Sequence, residues 1–525
     1  MTRVLITGAS SGIEQTLNGV TADLVILNAG TCEYLDSGVI DEEKVERKPM
    51  APQRQRWPTS PSSYRWICWL ARSPSLCTVA QRDFCPPTVM ATSARQPAGK
   101  VKSMKIAIIG SGISGLTCAL RLSDRFQVSV FEANDYLGGH TATVDVVQDG
   151  TTYAIDTGFI VYNERTYPHF IALLDELGLT GQPTEMSFSV SNPVSGLEYN
   201  GHTLNTLFAQ RSNLLRPSFY RFVAEIVRFN RVCKRYLASG DYQGLTLSHL
   251  LQQEKFSPFF ALHYLLPMGA AIWSSSLEDM RHFPLSLFLT FFNHHGLLDL
   301  VNRPQWMVVP GGSREYVRRL AERIRDRATI HIQTPVSQVM RDEAGVTVHT
   351  AEQAYRFDQV IFACHSDQAL ALLATNTPDE QRILGGMHYQ PNHVILHTDT
   401  RLLPHNPRAW ASWNYRLPVD QAFSHARASV TYNMNILQGI RSSTTFCVSL
   451  NPQQDIDPNK ILHHAIYHHP VFTQQTTAYQ QQRERINGHN RSWFCGAYWY
   501  NGFHEDGVRS GLDVVNLLHQ SVQDE

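Results

Sequence analysis

Charge is scarce in this chain. Of 525 residues only 17% are Asp, Glu, Lys or Arg, against roughly a quarter in an ordinary soluble domain, and 45 basic residues meet 46 acidic ones. That balance removes the electrostatic footprint of a nucleic-acid binder and gives no global pull towards an anionic membrane. No apolar run approaches the ~20 residues that cross a bilayer, and the amino terminus lacks a basic-then-apolar signal pattern; peripheral membrane contact stays open. Nine cysteines include no C-x-x-C pair and no metal-like spacing with histidine, so free thiols, a cytoplasmic location and no metal site are expected. Gln, Asn, Ser, Thr and 23 histidines supply the polar surface instead. The length exceeds what one core organises, and about two to four domains are expected.

What the chain does have is a complete βαβ unit in residues 105–132. An apolar strand, Ile106 to Ile109, runs into Gly110-x-Gly112-x-x-Gly115, a helix follows, and a second strand, Val128 to Phe131, closes on Glu132. Gly110 permits the tight turn, Gly112 lets backbone amides approach a pyrophosphate, and Gly115 lets helix and strand pack closely. The helix N-terminus then holds the phosphates, and Glu132 can bond both hydroxyls of an adenosine ribose.

The first 103 residues are different. Val4 to Ile13 reads as a strand entering a glycine turn, and Leu24 to Gly30 as a second strand ending in a polar turn. Both resemble landmarks of the short-chain dehydrogenases, the coenzyme turn and the N-N-A-G motif. Glu14 stands where the third glycine of that turn belongs, Leu27 replaces the first asparagine, and no Tyr-x-x-x-Lys pair follows. Without that pair there is no proton donor to a carbonyl substrate, so residues 1–48 are expected to be a catalytically inert, truncated fragment. Residues 49–103 mix proline, tryptophan and cysteine without a period of 2 or 3.6, an irregular linker. A neighbouring gene joined partly out of frame upstream of Met104 would produce this pattern, and the other reading frames test it.

After Met104 order returns. Thr151 to Ile155 is strand-like, residues 165–177 and 216–238 look helical, Thr334 to Thr350 reads as a hairpin, Phe357 to Ala363 as a buried strand and His365 to Ala374 as a helix. Four segments add to the nucleotide motif: Gly138-Gly139-His140; Val308-Val309-Pro310-Gly311-Gly312-Ser313 before a helix, Glu315 to Asp326; the strand Phe357 to Ala363, returning to the first sheet; and Phe494 to Gly511, leading into a helix, Leu512 to His519.

Together these resemble the superfamily of flavin-containing amine oxidases, protoporphyrinogen oxidases and phytoene desaturases, over essentially all of 104–525. Asp156-Thr157-Gly158-Phe159-Ile160-Val161-Tyr162-Asn163 and Gly502-Phe503-His504-Glu505-Asp506-Gly507 look like a bacterial amine-oxidase-like subgroup, similar to the amino-terminal region of plant cyclopropane fatty acid synthases. The resemblance implies an α/β fold: a Rossmann-like FAD-binding domain of the glutathione-reductase type with an interleaved α+β substrate domain, preceded by the degenerate extension. FAD-binding parts would be 104–186, 301–375 and 481–525, and substrate parts 187–300 and 376–480. By position, Gly110, Gly112, Ser114 and Gly115 would contact the FAD pyrophosphate and Glu132 the ribose. Gly138, Gly139 and His140 would lie along the cofactor, and Val336 would pair its backbone with adenine. Gly496, Gly507, Val508 and Gly511 would bring a helix N-terminus to the flavin ring through a turn at 507–511, where the dipole favours reduced flavin.

A flavin carries its own electrophile, so the protein need only position a C–H bond and exclude water; no side chain stands out as catalytic. Amine oxidases of the superfamily keep a lysine near flavin N5. From 104 onward the lysines are Lys105, Lys234, Lys255 and Lys460, none in a matching motif, which argues against amine oxidation. Aromatic and aliphatic stretches at 259–273 and 283–292 are domain core or a lipophilic tunnel, and the plant resemblance tilts the substrate towards fatty acyl chains or another apolar molecule. His294 and His295 are expected in a solvated turn, and Tyr498 and Tyr500 as an aromatic wall if that segment is extended. The leading expectation is an FAD-dependent oxidoreductase on an apolar small-molecule or lipid substrate. Alternatives are a true amine oxidase, a redox-neutral isomerase, and a flavin-holding accessory protein of a lipid methyltransferase. A nicotinamide dehydrogenase built on residues 1–48 has least support.

Overall fold

The computed structural model describes residues 104–299, 303–419 and 427–524, with three short strands upstream. Upstream, Leu24–Leu27 pairs in parallel with Val4–Thr7 and antiparallel with Thr31–Tyr34. The first two are the strands read from the sequence; the third is additional. The glycine turn with Glu14 and the linker at 49–103 lie outside the described residues.

From Met104 the strand Lys105–Ile109 (β1) has four consecutive buried apolar residues, the pattern of a parallel strand covered on both faces. Ile113–Leu122 (α1) follows, buried almost all round, and Gln127–Phe131 (β2) returns parallel to β1 with Phe131 opposite Ile109. Ala328–His331 (β3) adds to β2, Gln359–Phe362 (β4) to the other side of β1, and Ser492–Phe494 (β5) to β4, all in parallel. The order is β3-β2-β1-β4-β5, so the winding reverses between β1 and β4. The loops leaving those two strands diverge, and open parallel sheets bind ligands in the crevice this creates at the strands' carboxyl ends.

Two elements differ from expectation. The strand read over Phe357–Ala363 is two: Ala354–Phe357 closes a three-stranded meander with Val336–Asp342 and Gly345–Thr350, and only Gln359–Phe362 enters the parallel sheet. The carboxy-terminal helix read over Leu512–His519 runs from His504 to Asp524, and the 507–511 turn is helical. Arg314–Ile324 (α2) and this helix, His504–Asp524 (α3), pack with α1 in one apolar core. Gly507 and Gly511, four apart, lie on one face of α3. A Cβ on Gly507 would come within 2.6 Å of Ile113 Cγ2, and one on Gly511 within 2.8 Å of the Ser114 carbonyl. The glycines are small because α1 is close.

Residues between the returns to the parallel sheet build a seven-stranded sheet, from Leu197–Asn200 at one edge to Ile461–Pro470 at the other. It is antiparallel except where Phe188–Asn192 runs parallel to Trp413–Arg416. Helices Pro217–Ser239 and Leu285–His294 share its core, in which Phe222, Phe229, Phe260, Phe288 and Phe292 are fully buried. Among the described residues no helix is long and apolar enough to cross a membrane.

Candidate functional site

Steric necessity shapes the turn after β1. Gly110 has φ +104°, and a Cβ there would lie 2.7 Å from the Ala363 carbonyl oxygen; a Cβ on Gly115 would lie 2.1 Å from the Gly110 oxygen. Gly112 is different. Its φ is −63°, and nothing lies within 4 Å of where a Cβ would project. It forms the N-cap of α1, which has no side-chain cap and no acid in its first turn. The first amides of α1 and the positive end of its dipole therefore face open space, a fit for a diphosphate. Ser114 turns its hydroxyl away, donating to the Gly507 carbonyl at 2.9 Å, which leaves its amide for any cofactor contact.

Glu132 is buried just past the end of β2. One carboxylate oxygen accepts from the Ser111 amide (3.0 Å) and hydroxyl (2.5 Å), the other from the Asn134 amide and Nδ2 (both 2.9 Å). These fill the acceptor positions of the carboxylate, so a ribose diol bonding there displaces the Ser111 hydroxyl or the Asn134 side-chain amide. The amides of Gln333 and Thr334 donate to the carbonyls of Asn134 and Glu132, which brings Val336, two residues on, beside the acid. Gly138 bridges to Gly112, and a Cβ on Gly139 would lie 3.4 Å from Gly112 Cα. Gly110, Gly112, Gly115, Glu132, Gly138, Gly139 and Val336 are thus gathered at the carboxyl ends of β1 and β2.

Past Gly139 the chain enters a space lined by rings. The His140 carbonyl accepts from the Phe159 amide at 2.9 Å, and a Cβ on Gly158 would be 2.0 Å from that carbonyl oxygen. The Asp156–Phe159 motif is therefore a brace under the His140 loop. Asp156 accepts from Thr143 Oγ1 (2.6 Å) and from the amide (2.8 Å) and hydroxyl (2.9 Å) of Ser313, which ties the Gly311-Gly312-Ser313 turn and the start of α2 to the same brace. Burial raises its pKa to about 6.

The His140 ring lies 5.1 Å from Tyr467 and 5.8 Å from both His365 and His469. His365 stacks on Tyr389 at 4.4 Å, and Tyr389 meets Tyr498 edge-on at 6.5 Å. His140, His365, Tyr389 and His469 keep some accessible surface, yet desolvation lowers the imidazole pKa to about 4 for His140 and His365 and about 3 for His469, with neighbouring imidazoles adding to the shift. Imidazoles desolvated this strongly are neutral at pH 7. His140 Nε2 and the Tyr498 hydroxyl are buried without a hydrogen-bond partner. Buried polar atoms ordinarily find partners, and two orphans in one ring group mark a wall that faces a ligand.

The carboxy-terminal segment corrects several expectations. Ala497–Trp499 is a 3₁₀ turn, not an extended run. The missing Cβ of Gly496 leaves room for the Tyr498 ring, which it would meet at 2.4 Å. The Tyr500 hydroxyl turns to Asp513 (2.5 Å) and Arg483 (2.9 Å), so the two-tyrosine wall reduces to Tyr498. Gly507, Val508 and Gly511 lie in the first turns of α3 and pack against α1, and His504 stands at the start of α3, stacked on Phe159 at 3.7 Å and bonded to the Tyr316 hydroxyl at 2.6 Å. Glu505 accepts from the amides of His169 and Phe170, capping the helix Pro168–Glu176. His295 is buried against Phe291 rather than solvated; His294 is exposed.

Sequence reasoning does not single out His365, Tyr389, Tyr467 or His469. The legible signal for two of them is the strand Ile461–Pro470, where Ala465, Tyr467 and His469 share the more buried face. Of the lysines, Lys105 and Lys255 are exposed, Lys234 pairs with Asp299 at 2.7 Å, and Lys460 lies 3.8 Å from Asp399. Among the described residues no group of three His, Cys, Asp or Glu side chains could hold a metal ion.

Comparison with known proteins agrees with this geometry. The family described as flavin containing amine oxidoreductase matches residues 113–435. The 1-hydroxycarotenoid 3,4-desaturase of Flavobacterium sp. (strain P99-3) is 38% identical over 96 residues, 18% of this chain and 18% of that enzyme. In fold the chain is similar to cyclohexylamine oxidase from Brevibacterium oxydans IH-35A, at 15% identity over 80% of this chain and 100% of that one with a TM-score of 0.58. It is also similar to a CLA-producing fatty acid isomerase from P. acnes, at 15% identity over 80% and 99% with a TM-score of 0.57. At such identity the likeness carries the fold alone. The family match spans more than half of the sequence, and the chain belongs to the flavin-containing amine oxidoreductases: it is an FAD-dependent oxidoreductase with a mixed α/β fold.

Proposed function

We propose that FAD lies in the crevice between β1 and β4, on a Rossmann-like domain of the glutathione-reductase type, and that the enzyme removes hydrogen from a C–H bond of an apolar substrate, with fatty acyl chains the favoured class. The amides at the start of α1 would hold the diphosphate, Glu132 the ribose, and the Gly138–His140 loop the middle of the cofactor. Bound flavin supplies hydride acceptance at N5. The protein's own part is to hold the substrate carbon in line and keep water out.

The observation that carries the substrate class is the neutrality of the ring wall. His140, His365 and His469 are uncharged at pH 7 and their neighbours are tyrosines, so this wall offers an ammonium group no carboxylate counter-charge, only ring faces and the unpaired His140 Nε2 and Tyr498 hydroxyl. None of the four lysines is near this group. Two of the similar proteins are named for lipid substrates, a fatty acid isomerase and a hydroxycarotenoid desaturase, whereas a third is named for an amine, so the fold by itself does not choose. The test is anaerobic mixing of the purified holoprotein with unsaturated fatty acyl lipids or with amines while the flavin band is followed. Bleaching by acyl lipids is the expected result; bleaching by amines alone would replace this reading with amine oxidation.

A further inference from the structure

Sixteen large apolar side chains are exposed among the described residues, and seven of them fall between Val194 and Leu262. They are not scattered. The short helix Leu204–Leu207, the 3₁₀ turn Arg211–Leu215 and the start of the helix Pro217–Ser239 form one knuckle. Within it Leu204 is 77% exposed, Leu215 87% and Tyr220 49%. The Tyr220 ring packs on Phe208 at 5.7 Å, and its hydroxyl donates to the Leu214 carbonyl at 3.0 Å. Phe222, underneath, touches the half-exposed Phe259 at 5.5 Å, extending the surface to the next helix.

The knuckle is held, not loose. Arg211 donates to the carbonyls of Asn205 and Phe208 and to the Asn205 side chain, and Thr203 and Thr206 cap the helix Leu204–Leu207 reciprocally. The fold therefore spends hydrogen bonds on keeping two adjacent leucines in water. Its exposed charge is mainly positive. From Val194 to Glu225 the acids are Glu198 and Glu225, and both are buried, Glu198 accepting from the amides of His405 and Asn406 and Glu225 from Ser257. Arg211, Arg216 and Arg221 are exposed. The exposed carboxylate that reaches the segment is Glu185, 3.8 Å from His202 Nε2, and the three exposed arginines outnumber it. Apolar side chains projecting among an excess of cations are the composition that inserts at the headgroup level of an anionic bilayer, in a protein whose overall charge is near zero.

We propose that this knuckle docks the enzyme on anionic lipid membranes, Leu204, Leu214 and Leu215 entering the acyl boundary and the arginines meeting lipid phosphates. The surface stands apart from the substrate reading: a holoprotein that binds vesicles but is not bleached by acyl lipids would sink that reading and leave docking intact. The test is flotation of the holoprotein with phosphatidylglycerol–phosphatidylcholine vesicles and with phosphatidylcholine alone, in low and high salt. Binding to the anionic vesicles, weakened by salt, is expected. Leu214→Asp with Leu215→Asp should abolish it, Leu204→Asp should weaken it, and Arg216→Ser with Arg221→Ser, which spares the Arg211 bonds that hold the knuckle, should reduce it roughly fivefold per arginine. Val147→Asp, at an exposed apolar position on a different hairpin, should leave it unchanged, and FAD content should be unaltered throughout. No flotation, or flotation that survives the double leucine variant, would overturn the proposal. So would leucine-dependent dimerisation in light scattering without vesicle binding, which would make the knuckle a contact between copies.

Discussion

Gly112 and Gly115 stand three residues apart with opposite roles. Gly115→Ala puts a methyl group against the Gly110 carbonyl and should cost about 1–3 kcal/mol of stability as overpacking. Gly112→Ala meets nothing and keeps an ordinary φ, so the apoprotein should lose no more than the roughly 1 kcal/mol of a weaker N-cap while FAD affinity falls, because the methyl occupies the space the diphosphate needs. Thermal unfolding and FAD titration of the two variants separate these effects; equal FAD affinity in Gly112→Ala and wild type would contradict the assignment. Glu132→Ala removes the acceptor shared by Ser111 and Asn134 as well as the ribose partner. A loss of about 1–3 kcal/mol, or roughly 5- to 150-fold in FAD affinity, is expected, read as FAD retained after dialysis.

Among elements, β1–α1–β2 was legible because its information is local: glycines, strand and acid sit at fixed spacing within thirty residues. α3 was not. Gly507 and Gly511 read as a turn, yet both lie inside the helix and are glycines because Ile113 and Ser114 lie where side chains would go. Gly511→Leu should therefore lower the melting temperature markedly, by separating α1 from α3, whereas a residue in a surface turn would tolerate it; an unchanged melting temperature would restore the turn reading. The ring wall was illegible for a different reason. His140, His365, Tyr389 and His469 come from four segments that only the tertiary fold brings together, and no spacing in sequence encodes that meeting.

In the molecule as a whole, burial of histidine should set the acid limit. The pKa values of His140, His295, His365 and His397 are lowered to about 4, and those of His469 and His504 to about 3. Above ~6.5, the unfolded value, both states hold these rings neutral and the contribution is fully present. As pH falls from there towards 4 the unfolded chain takes up protons that the folded chain refuses, and stability drops. Asp156 and Asp506, raised to about 6 and about 7, act in the opposite sense, holding protons in the folded state that the unfolded state releases. With His263, His331 and His519 also lowered and Glu505 also raised, nine imidazoles against three carboxyls leave a net loss on acidification, to be seen as a melting temperature that falls between about pH 7 and 5; a rise over that window would contradict the burial of these rings.

The most direct measurement is the visible spectrum and FAD content of the purified protein. The expected result is a yellow chain holding one FAD per polypeptide, with Gly112→Ala and Glu132→Ala releasing it on dialysis while remaining folded. A folded wild-type protein that is colourless and takes up no FAD when it is supplied would contradict the cofactor site at β1 and α1, and with it the proposed reaction.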